Sequence, residues 1–332
     1  MENSSPRNAR TVVVGGGTMG ADVAVVLARG GAQVTVVDPH AARRDQLLPH
    51  IAQELAAAGQ TTHAGPVQVC ASLQDVDWSG VVLVVECITE QLAAKQKLFA
   101  ELETVAPPNA VLASNSSGFP ISAIAQGLAT AQRMLGLHFF MPAHLVPLVE
   151  VVLGERSDPA LGTWLHAFMR GCGSVPVLVK KDKPGFLANR MQHALSREAF
   201  ALIDEGIASP EDVDAAVRFG FGFRFLAAGP VLQRDHAGIE VHTAAAATMY
   251  PTLSNTDVPA QALRDKVAQG TLGMKTGKGF FDWPEDRKQA ERARYDTLLR
   301  QGLALLASEL PTIEPPTATS PTDTPSTAGA RA

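Results

Sequence analysis

The sequence predicts an α/β protein with a doubly wound parallel sheet, followed by an all-α C-terminal domain. Three observations support this prediction. Short β-branched runs alternate with helical patterns up to about residue 181, as a doubly wound sheet requires. A glycine-rich turn joins the first of these runs to the first helical pattern. After residue 185 the β-branched runs end, and the chain has helical periodicity up to about residue 306.

The first strand pattern leads into a turn with the glycine spacing G-x-G-x-x-G, made by Gly15, Gly17 and Gly20. We expect Gly15 to permit the tight turn and Gly17 to let the backbone approach a pyrophosphate. Gly20 should allow the following helix to pack closely on the strand. An ordinary glycine turn of an α/β protein is the alternative interpretation.

A second β-branched strand pattern follows the helix and ends at Asp38. A carboxylate there can accept hydrogen bonds from the adenine-ribose hydroxyls of a dinucleotide and would repel a 2′-phosphate. The order of strand, turn, helix, strand and acid therefore predicts a Rossmann-type NAD site, with Thr18 and Met19 at the helix N-terminus facing the pyrophosphate. Arg43 and Arg44 follow Asp38 closely and weaken the preference for NAD over NADP.

Five more strands are predicted along the sheet, at residues 81–85, 110–113, 134–137, 148–152 and 175–179. The first of these is fully apolar, which is typical of a central parallel strand. The last contains Pro176, which is compatible with an edge strand because proline lacks the N–H donor of a sheet ladder.

The chain is predicted to have two domains between two flexible ends. The helical region includes the pattern 187–207 and a helix start at Ser209, with Pro210 at the first helical position. The tail is rich in Pro, Thr and Ser, which is typical of disorder. The predicted segments are a flexible arm (1–9), an NAD-binding domain (10–182), a helical substrate and dimerisation domain (183–310) and a disordered tail (311–332).

Composition limits the partners and the compartment. The 332 residues have a formal net charge of −5 and a pI near 6.0, which gives no electrostatic reason to expect nucleic acid or an anionic membrane. Cys70, Cys87 and Cys172 are widely spaced and form neither a disulfide framework nor a metal-binding pair, so we expect a reducing cytoplasm and no metal. Neither a secretory signal nor a membrane-spanning stretch is visible.

Several signatures follow the glycine turn in a fixed order. They include Glu-Cys-Ile-Thr-Glu (86–90), Ala-Ser-Asn-Ser-Ser (113–117), His-Phe-Phe-Met-Pro (138–142), the strand around Glu150, and the segments 182–190 and 275–281. In order and spacing these resemble the L-3-hydroxyacyl-CoA dehydrogenase family, including its lambda-crystallin/gulonate, carnitine and pyridine-alcohol dehydrogenase branches. The resemblance covers about residues 10–290.

The resemblance implies a catalytic set of four residues. His138 would be the general base for the hydroxyl proton, and Glu150 would hold its imidazole. Ser117 and Asn189 would hydrogen-bond the substrate oxygen and the bound ligand. Each has a structural alternative: a buried histidine, a structural ion pair, a turn cap and a helix-surface amide. A second histidine after the same strand, His144, is interpreted as structural.

The resemblance further assigns Glu90, Lys95 and Asn115 to the cofactor site. The chemistry of the predicted pair supports the assignment of the base, since hydride loss from an alcohol requires its deprotonation and histidine performs this near neutral pH. A carboxylate partner fixes the tautomer of such a histidine. His138 and Glu150 lie near the ends of two strands, so they can meet at the carboxyl edge of the sheet.

Two departures from the family affect the predicted substrate. Met141 stands where the family commonly has asparagine, and residues 45–80 contain no lysine or arginine to bind the phosphates of coenzyme A. The working hypothesis is NAD-dependent oxidation of an L-3-hydroxyacyl-CoA, with fatty acid metabolism as the setting and a homodimer as the assembly. Oxidation of a free 3-hydroxy acid or small alcohol is one alternative, and a non-catalytic NAD-binding protein is another.

Overall fold

The structure, a computed structural model, describes residues 4–314 and contains one eight-stranded sheet. Its spatial order is β3-β2-β1-β4-β5-β6-β7-β8. The strands are β1 Arg10–Val14, β2 Gln33–Val37, β3 Val67–Cys70, β4 Val81–Glu86, β5 Val111–Ser114, β6 Met134–Phe139, β7 Leu148–Leu153 and β8 Val175–Val179. Strands β2 and β3 are added on one side of β1, and the chain then crosses back so that β4 pairs with the other side of β1, as in other doubly wound folds.

Helices cover both faces of the sheet and then form the C-terminal domain. Those associated with the sheet are α1 Thr18–Arg29, α2 Ala41–Ala57, α3 Leu92–Val105, α4 Ile121–Ile124 and α5 Pro159–Gly171. Those after the sheet are α6 Ala188–Asp204, α7 Pro210–Ala216, α8 Leu232–Ala237, α9 Ile239–Met249, α10 Gln261–Ala268 and α11 Glu285–Leu305. None of the described helices is long and apolar enough to cross a membrane.

Two apolar clusters, one on each face of the sheet, hold the N-terminal domain together. Helices α1, α2 and α5 pack in one cluster, and α3 and α4 pack in the other. The β-branched residues of the central strands alternate between the two clusters: Val13 belongs to the first, whereas Val12 and Val14 belong to the second. Burial on both faces explains why these strands are almost uniformly apolar.

One strand pair departs from the predicted parallel sheet. Strands β6 and β7 are antiparallel, while every other pair in the sheet is parallel. The cause is the connection between them, residues 140–147, which is too short for the crossover that parallel neighbours need. Strand β8 is an edge strand, as its proline predicts, whereas the short opposite edge strand β3 was not identified from the sequence.

Part of the N-terminal arm, which the sequence predicts to be flexible, packs on the N-terminal domain. Pro6 is buried, and the Asn8 N–H donates to the Gly31 carbonyl at 2.9 Å, so this part of the arm packs on the end of α1. The Arg7 guanidinium donates to the Glu314 carbonyl. The predicted disordered tail lies, from residue 315 onward, outside the described residues.

The C-terminal helices pack loosely on one another. No described residue of α6, α7, α8, α9, α10 or α11 is fully buried. The predicted helix start is present, since Ser209 caps α7 by accepting a hydrogen bond from the Asp212 N–H at 3.1 Å. This domain has its apolar side chains largely uncovered within a single chain.

Candidate active site

The glycine turn between β1 and α1 has the shape that a dinucleotide pyrophosphate requires. Gly15 has φ of +103°, and a Cβ there would lie 2.7 Å from the Cys87 carbonyl oxygen. A Cβ on Gly20 would lie 1.7 Å from the Gly15 carbonyl oxygen, so only glycine lets α1 approach the turn. A Cβ on Gly17 would meet nothing within 4 Å. The open space therefore lies at Gly17, beside the N-terminus of α1.

Asp38 closes the other side of this cleft at the end of β2. Its Oδ2 accepts the Gly16 N–H at 2.8 Å, and its Oδ1 accepts the His40 N–H at 2.8 Å. Burial raises the pKa of Asp38, but these hydrogen bonds and the nearby Arg43 guanidinium outweigh it and lower the pKa overall. The carboxylate is therefore charged at neutral pH. The glycine turn, the bare helix N-terminus and this acid fit the two phosphates and the adenine ribose of NAD.

The two arginines after Asp38 are both bound to it. Arg43 Nη1 lies 3.6 Å from Asp38 Oδ2, and Arg44 Nη1 donates to the Asp38 carbonyl oxygen at 2.8 Å. Their positive charges thus lie at the adenine-ribose end of the cleft.

A buried ion pair supports the loop after β4. Lys95 Nζ lies 2.7 Å from Glu86 Oε1 and 3.2 Å from Glu90 Oε2, and the lysine side chain is 1% exposed. Glu86 also accepts hydrogen bonds from the Ser114 hydroxyl at 2.6 Å and the Ile88 N–H at 2.7 Å. Lys95 is therefore buried and paired with Glu90, whereas the resemblance implies that it lines the nicotinamide end of the cofactor site. The roles of Glu86 and Ser114 were missed, although a carboxylate in an apolar strand signals a buried partner.

Glu90 organises the loop after β5. Its Oε1 accepts hydrogen bonds from the Ser116 hydroxyl at 2.7 Å, the Ser117 N–H at 3.1 Å and the Gly118 N–H at 3.0 Å. Burial raises the pKa of Glu90, while these bonds and the Lys95 ammonium together lower it below its usual range. This charged acid thereby fixes the loop that presents Ser117, a role that the sequence had not assigned to it.

The antiparallel strands β6 and β7 bring the predicted base and acid face to face. His138 and Glu150 are direct partners in the strand register. His138 Nδ1 lies 2.7 Å from Glu150 Oε2, and both side chains are buried. The sequence placed both residues near strand ends at the carboxyl edge. The structure shows why Glu150 lies there: β7 runs against its neighbour β6, so its first residues lie at that edge.

The other oxygen of Glu150 holds the start of the helical domain. Glu150 Oε1 accepts the Leu187 N–H at 3.0 Å and the Ala188 N–H at 2.8 Å, at the N-terminus of α6. Burial raises the pKa of Glu150, but the bonds from His138 and these two N–H groups outweigh it and lower the pKa overall. The acid is therefore ionised and bonded on both sides. This second contact could not be predicted from the sequence, because every non-proline residue offers the same backbone donor.

The remaining predicted residues lie in the loop after β5 and at the start of α6. Asn115 Oδ1 accepts the Phe139 N–H at 2.9 Å, which ties the end of β6 to the loop after β5. Asn189 Nδ2 lies 3.4 Å from the Ser117 carbonyl oxygen, so these two predicted residues from different domains are neighbours. The Phe140 ring packs 4.6 Å from the His138 ring, centroid to centroid. The structure thus brings all four predicted catalytic residues to one edge of the sheet.

Comparison with known proteins identifies one family along most of the chain. A family model for the NAD-binding domain of 3-hydroxyacyl-CoA dehydrogenase matches residues 10–183, and a model for the C-terminal domain of the same enzyme matches residues 185–283. The chain is 33% identical to a 3-hydroxybutyryl-CoA dehydrogenase of Mycobacterium tuberculosis, over 82% of this chain and 98% of that protein.

A second kind of relative acts on a pyridine. The chain is 34% identical to 5-formyl-3-hydroxy-2-methylpyridine 4-carboxylate 5-dehydrogenase of Mesorhizobium japonicum, over 85% of this chain and 94% of that protein. A crystal structure of this type of enzyme, described as an NAD⁺-dependent dismutase, superposes with a TM-score of 0.84 at 31% identity, covering 89% of this chain and 98% of that one. With both domains matched and the NAD cleft formed, the chain belongs to the 3-hydroxyacyl-CoA dehydrogenase family of NAD-dependent oxidoreductases that act on CH–OH groups.

Proposed function

We propose that this enzyme oxidises a small hydroxy acid or alcohol with NAD, using His138 as the general base. The observation that carries the proposal is the buried pair of His138 Nδ1 and Glu150 Oε2, 2.7 Å apart at the carboxyl edge of the sheet. Ligands of open α/β sheets bind at this edge. Glu90 and the glycine turn belong to the same edge, and we assign them to the cofactor.

The pair suits proton removal from an alcohol. Because the ionised Glu150 accepts a hydrogen bond from Nδ1–H of His138, the Nε2 lone pair of the imidazole is left to face the substrate. When bound, NAD supplies the hydride acceptor for the carbinol carbon. His138 takes the hydroxyl proton in the same step, and Glu150 stabilises the imidazolium that results.

Ser117 and Asn189 are proposed to orient the substrate oxygen toward this base. The contact between Asn189 Nδ2 and the Ser117 carbonyl oxygen, 3.4 Å, places the two side chains beside each other across the domain boundary. Glu90 holds the backbone of this loop through its bonds to the N–H groups of Ser117 and Gly118. Asn115 serves the cofactor side by fixing the strand end next to His138.

The substrate is proposed to be a free acid or small alcohol instead of a coenzyme A thioester. Arg43 and Arg44, the two cations that could replace the missing lysines, are both bound to Asp38. Met141 replaces the amide next to the base and is 63% exposed. The similarity to the pyridine-carboxylate dehydrogenase, over nearly the full length of both chains, points the same way.

A 3-hydroxyacyl-CoA is the second candidate substrate. It is favoured by the 33% identity to the 3-hydroxybutyryl-CoA dehydrogenase, which also extends over nearly all of that protein. A role in fatty acid metabolism depends on this candidate. The free thiols of Cys70, Cys87 and Cys172 agree with the reducing cytoplasm that we propose as the location.

We also propose that two chains associate through the helical domain. Phe219, Val231 and Tyr250 are 73%, 79% and 72% exposed, although large apolar side chains of this kind are normally covered. A second copy of the chain would cover them symmetrically. Size-exclusion chromatography with light scattering should give the mass of a dimer for the wild type and of a monomer for Phe219→Asp/Val231→Asp. A monomeric wild type would contradict this assignment.

NADH formation with two substrate panels tests the function. The first panel contains free hydroxy acids and aromatic carboxylates that carry a hydroxymethyl or formyl group. The second contains L-3-hydroxyacyl-CoAs of short and medium chain length. Turnover on the first panel supports the proposal, whereas turnover confined to the thioesters establishes the second candidate.

The His138→Gln variant separates an enzyme from a non-catalytic NAD-binding protein. An enzyme should lose turnover by roughly a hundred-fold or more while its NAD affinity is unchanged, because the base acts only in the chemical step. Lack of turnover by the wild type on both panels, with intact NAD binding, would support the non-catalytic alternative.

A further inference from the structure

A cluster of two histidines and a buried aspartate lies outside the proposed catalytic set. Asp22, on α1, is 2% exposed. Its Oδ1 lies 3.0 Å from His50 Nε2, on α2, and 3.0 Å from His144 Nδ1, in the loop between β6 and β7. One ligand atom from each residue lies within 4.8 Å of the other two. We propose that Asp22, His50 and His144 bind a late first-row divalent cation, with Zn²⁺ as the best match.

The donor set fits this class of ion. Two imidazole nitrogens and one carboxylate oxygen are ligands typical of Zn²⁺ at about 2.0–2.2 Å, with a fourth position open to water. Ligand atoms at such distances in a tetrahedral site are separated from one another by about 3.3 Å. The two 3.0 Å separations around Asp22 Oδ1 are therefore close to those of a bound site.

The orientation of His144 favours an ion over a hydrogen bond. His144 Nδ1 is buried only 3.0 Å from Asp22 Oδ1, yet it forms no hydrogen bond within the described part of the chain. Two atoms that are close but poorly aligned with each other are expected when both are directed toward a shared ion. A neutral His144 that donates elsewhere would place its Nδ1 lone pair against a carboxylate oxygen, which is repulsive without a cation between them.

The other nitrogen of His144 has the partner that a metal-bound histidine usually has. His144 Nε2 lies 3.1 Å from Glu54 Oε2, and the same oxygen accepts a hydrogen bond from Arg300 Nη2 at 2.7 Å. Metal-ligating histidines commonly donate their second N–H to a carboxylate, which fixes the ring and its tautomer. Glu54 would give His144 this support, and Arg300 would hold Glu54 in place.

The remaining oxygen of Asp22 connects the cluster to the loop after β6, the strand that contains His138. Asp22 Oδ2 accepts the Ala143 N–H at 3.0 Å, and Arg29 Nη1 donates to the His144 carbonyl oxygen at 3.2 Å. An ion bound here would cross-link α1, α2 and this loop. Its role is therefore structural, and the proposal does not depend on the substrate of the enzyme.

Metal titration of the chelator-treated, full-length protein tests the site. Calorimetry should show about one Zn²⁺ per chain, and Co²⁺ should give the intense visible absorption of a four-coordinate site. Saturating Zn²⁺ should raise the Tm by on the order of 5 °C, because the ion binds the folded state alone.

Matched histidine variants locate the binding. The double variant His50→Gln/His144→Gln should lose affinity for Zn²⁺ by at least about 100-fold, whereas His166→Gln, on α5, and His138→Gln should keep full stoichiometry. If the double variant does not fold, the single variant His50→Gln is used instead, because the His50 side chain is 37% exposed and its replacement should be tolerated. Its affinity should fall by about ten-fold or more.

Two results would overturn the proposal. The first is the absence of stoichiometric uptake of Zn²⁺ and Co²⁺ by the wild type. The second is uptake that the double variant, or a folded His50→Gln, retains unchanged.

Discussion

At the scale of single residues, two glycines of the same turn have different roles, since Gly20 is needed for packing and Gly17 is predicted to give access to the cofactor. A methyl group on Gly20 would collide with the Gly15 carbonyl oxygen, whereas one on Gly17 would enter open space. Gly20→Ala should therefore destabilise the fold by about 3 kcal/mol or more. Gly17→Ala should lower the free energy of unfolding by no more than about 1 kcal/mol but raise the KM for NAD by about ten-fold or more.

Urea unfolding and NAD titration of the two glycine variants measure both effects. Equal losses of stability in the two variants would show that Gly17 is also needed for packing. Unchanged NAD affinity in Gly17→Ala would place the pyrophosphate elsewhere.

We predict that Asp38 sets the choice between NAD and NADP. Replacing it with serine removes the charge that repels a 2′-phosphate and frees Arg43 from its contact with the carboxylate, while Arg44 keeps its bond to the backbone carbonyl oxygen. Asp38→Ser should raise the ratio of kcat/KM for NADP to that for NAD by roughly ten-fold or more. Adding Arg43→Ala should reverse part of the gain. A ratio that does not change in Asp38→Ser would show that specificity is set elsewhere.

Residue identity predicted which side chains meet better than it predicted their contacts with the backbone. His138 and Glu150 were predicted as a pair from the resemblance and from strand ends, and their side chains do meet. The bonds from Glu150 to the N–H groups of Leu187 and Ala188 could not be predicted, because any non-proline residue offers the same donor. The cluster around Asp22 was missed because its members lie far apart in the chain.

At the scale of secondary structure elements, a buried ion pair joins β4 to α3. Lys95→Met would leave Glu86 charged, buried and without its cation, so we expect a loss of about 3–5 kcal/mol in the free energy of unfolding. The double variant Glu86→Gln/Lys95→Met removes both charges and should lose much less. Urea unfolding of the two variants and the wild type measures the difference. Equal losses in the single and double variants would mean that the pair is not coupled.

The strand pattern predicted most elements of the sheet but not the direction of β7. Apolar runs indicate where strands lie, and β7 has the same kind of apolar run with one buried acid as the parallel strand β4. The direction follows instead from the length of the connection, residues 140–147, which the apolar pattern of the strands does not reveal. This reversal places Glu150 opposite His138, so the geometry of this pair depends on the length of a loop.

At the scale of the whole molecule, carboxylates that are hydrogen-bonded in the folded state should make stability fall in acid. The pKa values of Asp38, Glu90 and Glu150 are all lowered in the folded state. A lowered pKa stabilises the fold above the unfolded-state value, near 3.8 for Asp and 4.5 for Glu, and this contribution is lost as the pH falls through the folded-state value.

Denaturant unfolding over a pH series measures this loss. The free energy of unfolding should change little between about pH 7 and pH 5.5 and then fall steadily below about pH 5. Glu150→Gln should fall less steeply, since it lacks one of the titrating groups. Stability that rises or is constant down to about pH 3.5 would contradict the assignment of charged acids.

The order of the two domains was predictable, but the surface of the second was not. Helical periodicity after residue 185 predicts helices, and helices are present there. The same periodicity predicts an apolar face for each helix without saying what covers it. In this chain the helical faces are open, with Phe219 and Val231 among the most exposed apolar residues.

The two hydrogen bonds from the start of α6 to Glu150 determine which sequence changes the junction between the two domains tolerates. Since Leu187 and Ala188 contribute only backbone N–H groups, their side chains are free to change without loosening the joint. Proline alone is barred there, because it has no hydrogen to donate. A helical half taken from a distant relative could therefore be grafted onto this sheet with no sequence match at the seam, provided that two amide hydrogens still face the carboxylate.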